Sequence, residues 1–346
     1  MTFRWFGTDD PVPLQHIRQI PGVHGIVSAL YDVAPGCVWE RDGVDRLLAT
    51  IQKAGLELAV VESIPVHEDI KLGKPSRDQL ADNYAESIRN IGEAGVRVVC
   101  YNFMPVFDWT RTSLDMMMDD GSSALAYDHE ALAVIDLTNG TGDLPGWATA
   151  YDADALAALL DEYSAVGESQ LWDNLAWFLE RIVPAASAAS VKLAIHPDDP
   201  PWSIFGLPRI ITSGEALERV TSLVDDPCNG VTLCTGSLGA DPANDVPAIT
   251  RQLGSLKRIH FAHCRNVKRT GDKTFHEAPH PTVHGDVDMF EVLKALHDAG
   301  FDGAIRPDHG RMIWGETGRP GYGLHDRALG AMYLTGLWEG ISKGSP

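Results

Sequence analysis

The chain is short of basic residues. Lys and Arg number 28 against 48 Asp and Glu, a formal net charge of −20. A surface this acidic repels phosphate backbones and anionic lipid, which argues against nucleic acid and membranes as partners. Long apolar runs are also missing: although 44% of residues are hydrophobic, no stretch reaches the roughly 18 residues that a membrane-crossing helix needs. The opening Met1-Thr2-Phe3-Arg4-Trp5 has no cationic stretch followed by an apolar one, so no secretory leader is expected. Cysteine is scarce. Cys37, Cys100, Cys228, Cys234 and Cys264 are odd in number and lack paired spacing, which argues against a disulfide framework. A reducing, cytoplasmic setting is the expectation. No Gly-x-Gly-x-x-Gly follows a strand-like run, which disfavours nicotinamide redox chemistry.

What is present is a rhythm. Short β-rich runs fall at 3–7, 25–31, 58–63, 97–103, 192–196, 230–235, 258–263 and 303–308. Most are continuously apolar rather than alternating, as in parallel strands covered on both faces. Helical patterns lie between them. Those at 45–54, 77–94 and 289–299 end at Gly55, Gly95 and Gly300, and Thr212-Ser213-Gly214-Glu215 carries helix-start chemistry. Eight strands alternating with helices predict an α/β fold, a single (β/α)₈ TIM barrel over 1–346, with an open doubly wound sheet as the alternative. Residues 104–168 break the rhythm and are too long for a simple loop. They read as an insertion after strand 4 over the barrel mouth, or else as a packed surface subdomain. A second long connection, 266–287, holds His276, His280 and His284.

Four successive strands end in possible metal ligands: His196, Cys234, His263 and Asp308. In a parallel barrel these ends converge on one mouth. Imidazole, thiolate and carboxylate together suit a divalent transition metal. Each residue alone has a plainer reading as a hydrogen-bonded histidine, a small buried hydrophobe or a turn cap; the recurrence carries the metal expectation. His260 competes with His263, but their odd separation puts them on opposite strand faces, and His263 lies nearer the mouth. Sulfur favours zinc or ferrous iron over manganese, while the carboxylate accommodates all three.

His309 follows Asp308, and Tyr322 lies in the tight Gly318-Arg319-Pro320-Gly321-Tyr322-Gly323 loop. They are the acid–base candidates, with second roles as metal-site support and rim packing respectively. An acidic protein that binds an anion needs local positive charge, and Arg306 and Arg319 are placed to supply it. Tyr101, Asn102 and Arg111 around the fourth strand end, and His67 and Lys71 after the third, are further candidates for binding hydroxyls.

In segments 60–65 and 101–111, at His196 and Cys234, in 260–263, and from 306 through Tyr322, the sequence resembles the mannonate dehydratase family of the xylose-isomerase-like barrel superfamily. These segments span nearly the whole chain in order. The resemblance implies dehydration of D-mannonate to 2-keto-3-deoxy-D-gluconate in hexuronate (glucuronate) breakdown. It implies one manganese or ferrous ion per subunit on His196, Cys234, His263 and Asp308. His309 and Tyr322 are the implied catalytic pair, and a homo-oligomer the implied assembly. The alternatives are a metal-dependent sugar isomerase on the same barrel and a non-catalytic sugar-acid binding protein.

Overall fold

The computed structural model describes residues 1–135, 137 and 153–344. Residue 136, the stretch 138–152 with Gly146 and Trp147, and 345–346 lie outside the described residues. All eight expected strand segments are strands: β1 Thr2–Arg4, β2 Gly25–Ser28, β3 Glu57–Glu62, β4 Val98–Tyr101, β5 Lys192–Ile195, β6 Asn229–Cys234, β7 Ile259–His263 and β8 Ala304–Arg306. They pair in parallel, and their spatial order follows chain order without reversal. An open doubly wound sheet requires a reversal of order, so that alternative falls. Thr2 Oγ1 donates to Ile305 O at 3.0 Å across the seam between β8 and β1. Gly25 belongs here for space: a Cβ on it would stand 2.8 Å from both Ala59 Cβ and Thr2 Cγ2.

The barrel interior is filled by Val27, Val60, Cys100, Ala194 and Phe261. A larger apolar layer lies between the strands and the surrounding helices. Helix Arg77–Glu93 buries Ala81, Tyr84, Ala85, Ile88 and Ile91, the spacing of a single helical face. Helices Gly214–Leu223 and Met289–Asp298 start at Ser213 and Asp288, whose side chains accept from the amides of Ala216 and Glu291. Glu168–Ala188 packs against Arg77–Glu93 and carries Phe178 to an aromatic cluster with Tyr84, Tyr101 and Phe103, ring centres 5.0, 6.3 and 5.9 Å away.

The two irregular stretches meet each other. Asn266–Gly271 and Thr274–Ala278 form a hairpin, where the sequence reading expected only a long connection. Ser123–Asp128 joins Thr274–Ala278, and Ser113–Met117 pairs at the edge, giving a four-stranded antiparallel sheet. A second apolar cluster, including Phe107, Tyr127, Ile204, Leu207, Val267 and Phe275, binds this sheet to the barrel loops.

Truncating Phe178, which is fully buried, should remove the hub of the aromatic cluster. Phe178→Ala is expected to cost about 3–5 kcal/mol of stability. The change in denaturation midpoint measures this, and a loss below about 1 kcal/mol would show that the cluster is not a packing centre.

Candidate active site

The strand ends open into a cavity of ≈ 390 Å³, lined by His196, Asp308, His309, Tyr322, Glu62 and Arg306 among others. Cys234 and His263 lie fully buried beside it. His196 Nε2 and His263 Nδ1 are 3.1 Å apart. His263 Nδ1 is 3.7 Å from Asp308 Oδ2, and Cys234 Sγ is 3.9 Å from the same oxygen. The donor atoms of His196, Cys234 and His263 all lie within 4.8 Å of one another. Ligands held at about 2.0–2.3 Å around one ion stand roughly 3–4 Å apart, so the two nitrogens and the sulfur form a candidate cation site, with Asp308 Oδ2 beside His263 and Cys234. The other ring nitrogens are turned outward: His196 Nδ1 meets Pro197 O at 2.6 Å, and His263 Nε2 faces Glu62 Oε2 at 3.6 Å. The contact to Pro197 O orients the His196 nitrogen that faces the cluster.

The electrostatics follow from the packing. Burial disfavours the Cys234 thiolate, but Arg265 and His196 more than reverse this and hold the thiol well below its usual range. Burial likewise opposes charge on His196, yet the Cys234 sulfur, with Glu62 and Asp308, pushes it up to about 9. Asp308 is held down against burial by Arg306, His309, His263 and Arg265. Its backbone has φ 59°, the left-handed region that Asp tolerates better than most residues and that often marks functional positions.

Around the cluster runs a lattice of ion pairs. Arg306 Nη2 reaches Asp308 Oδ1 at 2.7 Å and Glu62 Oε1 at 3.1 Å, while Arg4 Nη1 meets Glu62 Oε2 at 3.0 Å. Arg265 Nε lies 2.9 Å from Asp308 Oδ2. Gly236 makes that reach possible, since a Cβ there would stand 2.4 Å from Arg265 Nη1. Arg111 and Arg265 both grip Asp199 and Glu277. His309 Nε2 and Tyr322 Oη are 2.8 Å apart, and Glu277 Oε1 is 3.2 Å from His309 Nδ1. Burial, reinforced by Asp308, pushes the Tyr322 phenol up.

The six residues expected to hold the metal and move protons are therefore brought together. Arg306, Tyr101 and Asn102 also line the cavity. His67, Lys71, Arg111 and Arg319 do not line it. His67 caps the helix Glu68–Lys71, its Nδ1 accepting from Asp69 N. Lys71 is buried between Glu68 Oε1 at 2.6 Å and Met104 O at 2.7 Å. Arg111 is fully buried in the lattice. Arg319 is exposed, with its guanidinium 4.2 Å from the Phe6 ring centre. His260, set aside in favour of His263, is buried on the other strand face against Gly230, where burial lowers it to about 4. Glu62, Arg4, Arg265, Asp199 and Glu277 escaped the sequence reading. Only Glu62 left a signal, as a lone carboxylate closing an apolar strand.

Fold and cluster together define a (β/α)₈-barrel enzyme with a candidate metal centre at its C-terminal mouth. The family model for D-mannonate dehydratase (UxuA) matches residues 1–345. Mannonate dehydratase of Streptococcus agalactiae serotype Ia is 55% identical over 345 residues, covering 100% of this chain and 99% of its own. The crystal structure of mannonate dehydratase from Streptococcus suis serotype 2 superposes with a TM-score of 0.93 at 49% identity, covering 99% of this chain and 95% of that one. A xylose isomerase domain protein from Planctomyces limnophilus shares the fold alone, at 12% identity and a TM-score of 0.58 over 99% of this chain and 98% of that one. The chain belongs to the D-mannonate dehydratase family.

Removing a donor should empty the cluster. His196→Ala and Cys234→Ala are each expected to lose bound divalent metal through desalting, read by elemental analysis. A full complement retained by either variant would strike that residue from the ligand set.

Proposed function

We propose that the chain dehydrates D-mannonate to 2-keto-3-deoxy-D-gluconate, with His196, Cys234, His263 and Asp308 holding one divalent cation and His309 and Tyr322 moving the protons. The observation that carries this reading is the His309–Tyr322 pair, 2.8 Å apart, lining the same cavity as His196 and Asp308 of the proposed donor set. Family membership supplies the substrate: the 55% identical relative is named for mannonate, whereas likeness to xylose isomerase proteins stands at 12%. The isomerase alternative is not favoured.

The reaction removes the C2 proton, expels the C3 hydroxyl as water, and leaves an enol that becomes the 2-keto acid. When bound, the cation supplies Lewis-acid stabilisation of the charge that builds on the substrate carboxylate as C2 loses its proton; manganese or ferrous iron is the proposed identity. In this reading His309 Nε2 takes the C2 proton. Tyr322, kept protonated by burial, donates to the departing hydroxyl. The 2.8 Å hydrogen bond between them lets the proton gained by His309 restore Tyr322 after water leaves. Arg306 and Arg4, both lining the cavity, offset the repulsion that an acidic protein exerts on an anionic sugar acid.

Segment 104–168 enters this reading as cover for the barrel mouth, supported by Met104, Asp108 and Trp109 on the cavity wall. A cytoplasmic setting is supported by the free state of all five cysteines. A homo-oligomer is proposed from the family resemblance. Light scattering at micromolar concentration tests the last point, and a monomer there would remove it.

Metal-replete protein should convert D-mannonate to the 2-keto-3-deoxy acid, stop when chelated, and recover with manganese or ferrous ion. His309→Ala and Tyr322→Phe should each lower turnover about 10²–10⁴-fold while bound metal persists. Absence of the keto acid with every divalent ion would overturn the reaction. Loss of metal in either variant would reassign that residue to structural support.

A further inference from the structure

Glu277 does not belong to the barrel. It sits on Thr274–Ala278, in the antiparallel sheet, with its side chain buried. One of its oxygens does three things at once. Oε1 lies 2.7 Å from Arg265 Nη1, 2.9 Å from Arg111 Nη2 and 3.2 Å from His309 Nδ1. The arginines do not depend on it for charge balance alone. Asp199 already bridges them, with Oδ1 and Oδ2 at 2.8 and 3.1 Å from Arg111 and Oδ2 at 2.6 Å from Arg265. Arg265 meets Asp308 as well. The contact that no other carboxylate duplicates is the one to His309 Nδ1.

That contact has a chemical consequence. Although burial opposes its charge, Arg265, His309 and Arg111 hold Glu277 down at about 2, so it is ionised at neutral pH. An ionised carboxylate only accepts hydrogen bonds. His309 Nδ1 must then carry the hydrogen. In the neutral ring the lone pair falls on Nε2, the atom facing Tyr322 Oη. Trp109, tilted against His309 with ring centres 5.5 Å apart, offers no acceptor for Nδ1–H, and Asp308 Oδ1 lies 3.8 Å from Nε2 rather than beside Nδ1.

We propose that Glu277 is a positioning residue for the dehydration, fixing His309 as the Nδ1–H tautomer so that Nε2 keeps its lone pair toward Tyr322 Oη at the cavity wall. This rests on the reading of His309 as the proton-transfer group. The antiparallel sheet thereby contributes to the chemistry and does more than cover the barrel. A carboxylate that orients an imidazole in this way governs turnover far more than binding.

The test is a double-mutant cycle on the full-length, metal-replete protein with D-mannonate as substrate, with folding checked by circular dichroism and metal by elemental analysis. Glu277→Gln should lower kcat about 10²–10⁴-fold, with KM within about threefold and metal retained. In a His309→Ala background the same substitution should change kcat by less than about threefold, because the ring it positions is gone. Equal losses in both backgrounds would show a structural role and overturn the proposal, as would Glu277→Gln with undiminished kcat. Should Glu277→Gln not fold, Glu277→Asp takes its place in the cycle. It keeps the charge between the arginines while withdrawing the carboxylate from Nδ1, and the same two outcomes decide. Failure of the underlying reading shows separately, with Glu277 intact: wild-type protein makes no keto acid, or His309→Ala alone turns over normally. Either result overturns the positioning role too.

Discussion

The structure depends on charge compensation at the barrel mouth. The site gathers buried Asp199, Glu277 and Asp308, half-buried Glu62 and an easily ionised Cys234 at the barrel mouth. Left unpaired, buried carboxylates would neutralise or expel the segments that carry them. Arg4, Arg111, Arg265 and Arg306 prevent this, each spanning at least one acid with nitrogen–oxygen distances from 2.6 to 3.1 Å. A chain with so few basic residues places four of them here. The barrel strand ends, the loops beyond them and the antiparallel sheet fix where the acids stand, and the arginines keep them ionised there.

This arrangement explains which parts of the site were legible in the sequence. The eight strands could be read because parallel strands buried on both faces are apolar along their length. His196, Cys234, His263 and Asp308 stood out because each interrupts such a run at its mouth-facing end. The parity of β7 separated His263 from His260 correctly. The antiparallel sheet was hidden because its pairing joins 113–128 to 266–278, and no local pattern announces a partner so far along the chain. Its strands also carry Lys268, Arg269, His276 and Glu277, which read as loop polarity.

His67, Lys71 and Arg111 show a different use of polar residues. Polar residues after a strand end look like hands extended to a substrate, yet each of these three satisfies the protein itself: His67 an orphan helix amide, Lys71 a carboxylate and a carbonyl, Arg111 two carboxylates. Residue type announces the capacity to bind. Whether that capacity faces inward or outward is decided by tertiary packing, which a single sequence does not display. Glu277 is the sharpest case, since its significance lies wholly in what it touches.

The long-range pairing of the antiparallel sheet bears on how the protein comes into being. Contacts between distant segments carry the largest closure entropy and tend to form after local ones. A chain emerging from synthesis, when it has reached β6, holds six barrel strands, His196 and Cys234. It lacks His263, Glu277, Asp308, His309 and Tyr322 altogether. Partly made protein therefore holds half of the proposed donor set and neither member of the proposed proton-transfer pair. The site as proposed is assembled only when residues 263–322 have returned to meet the first strands of the barrel.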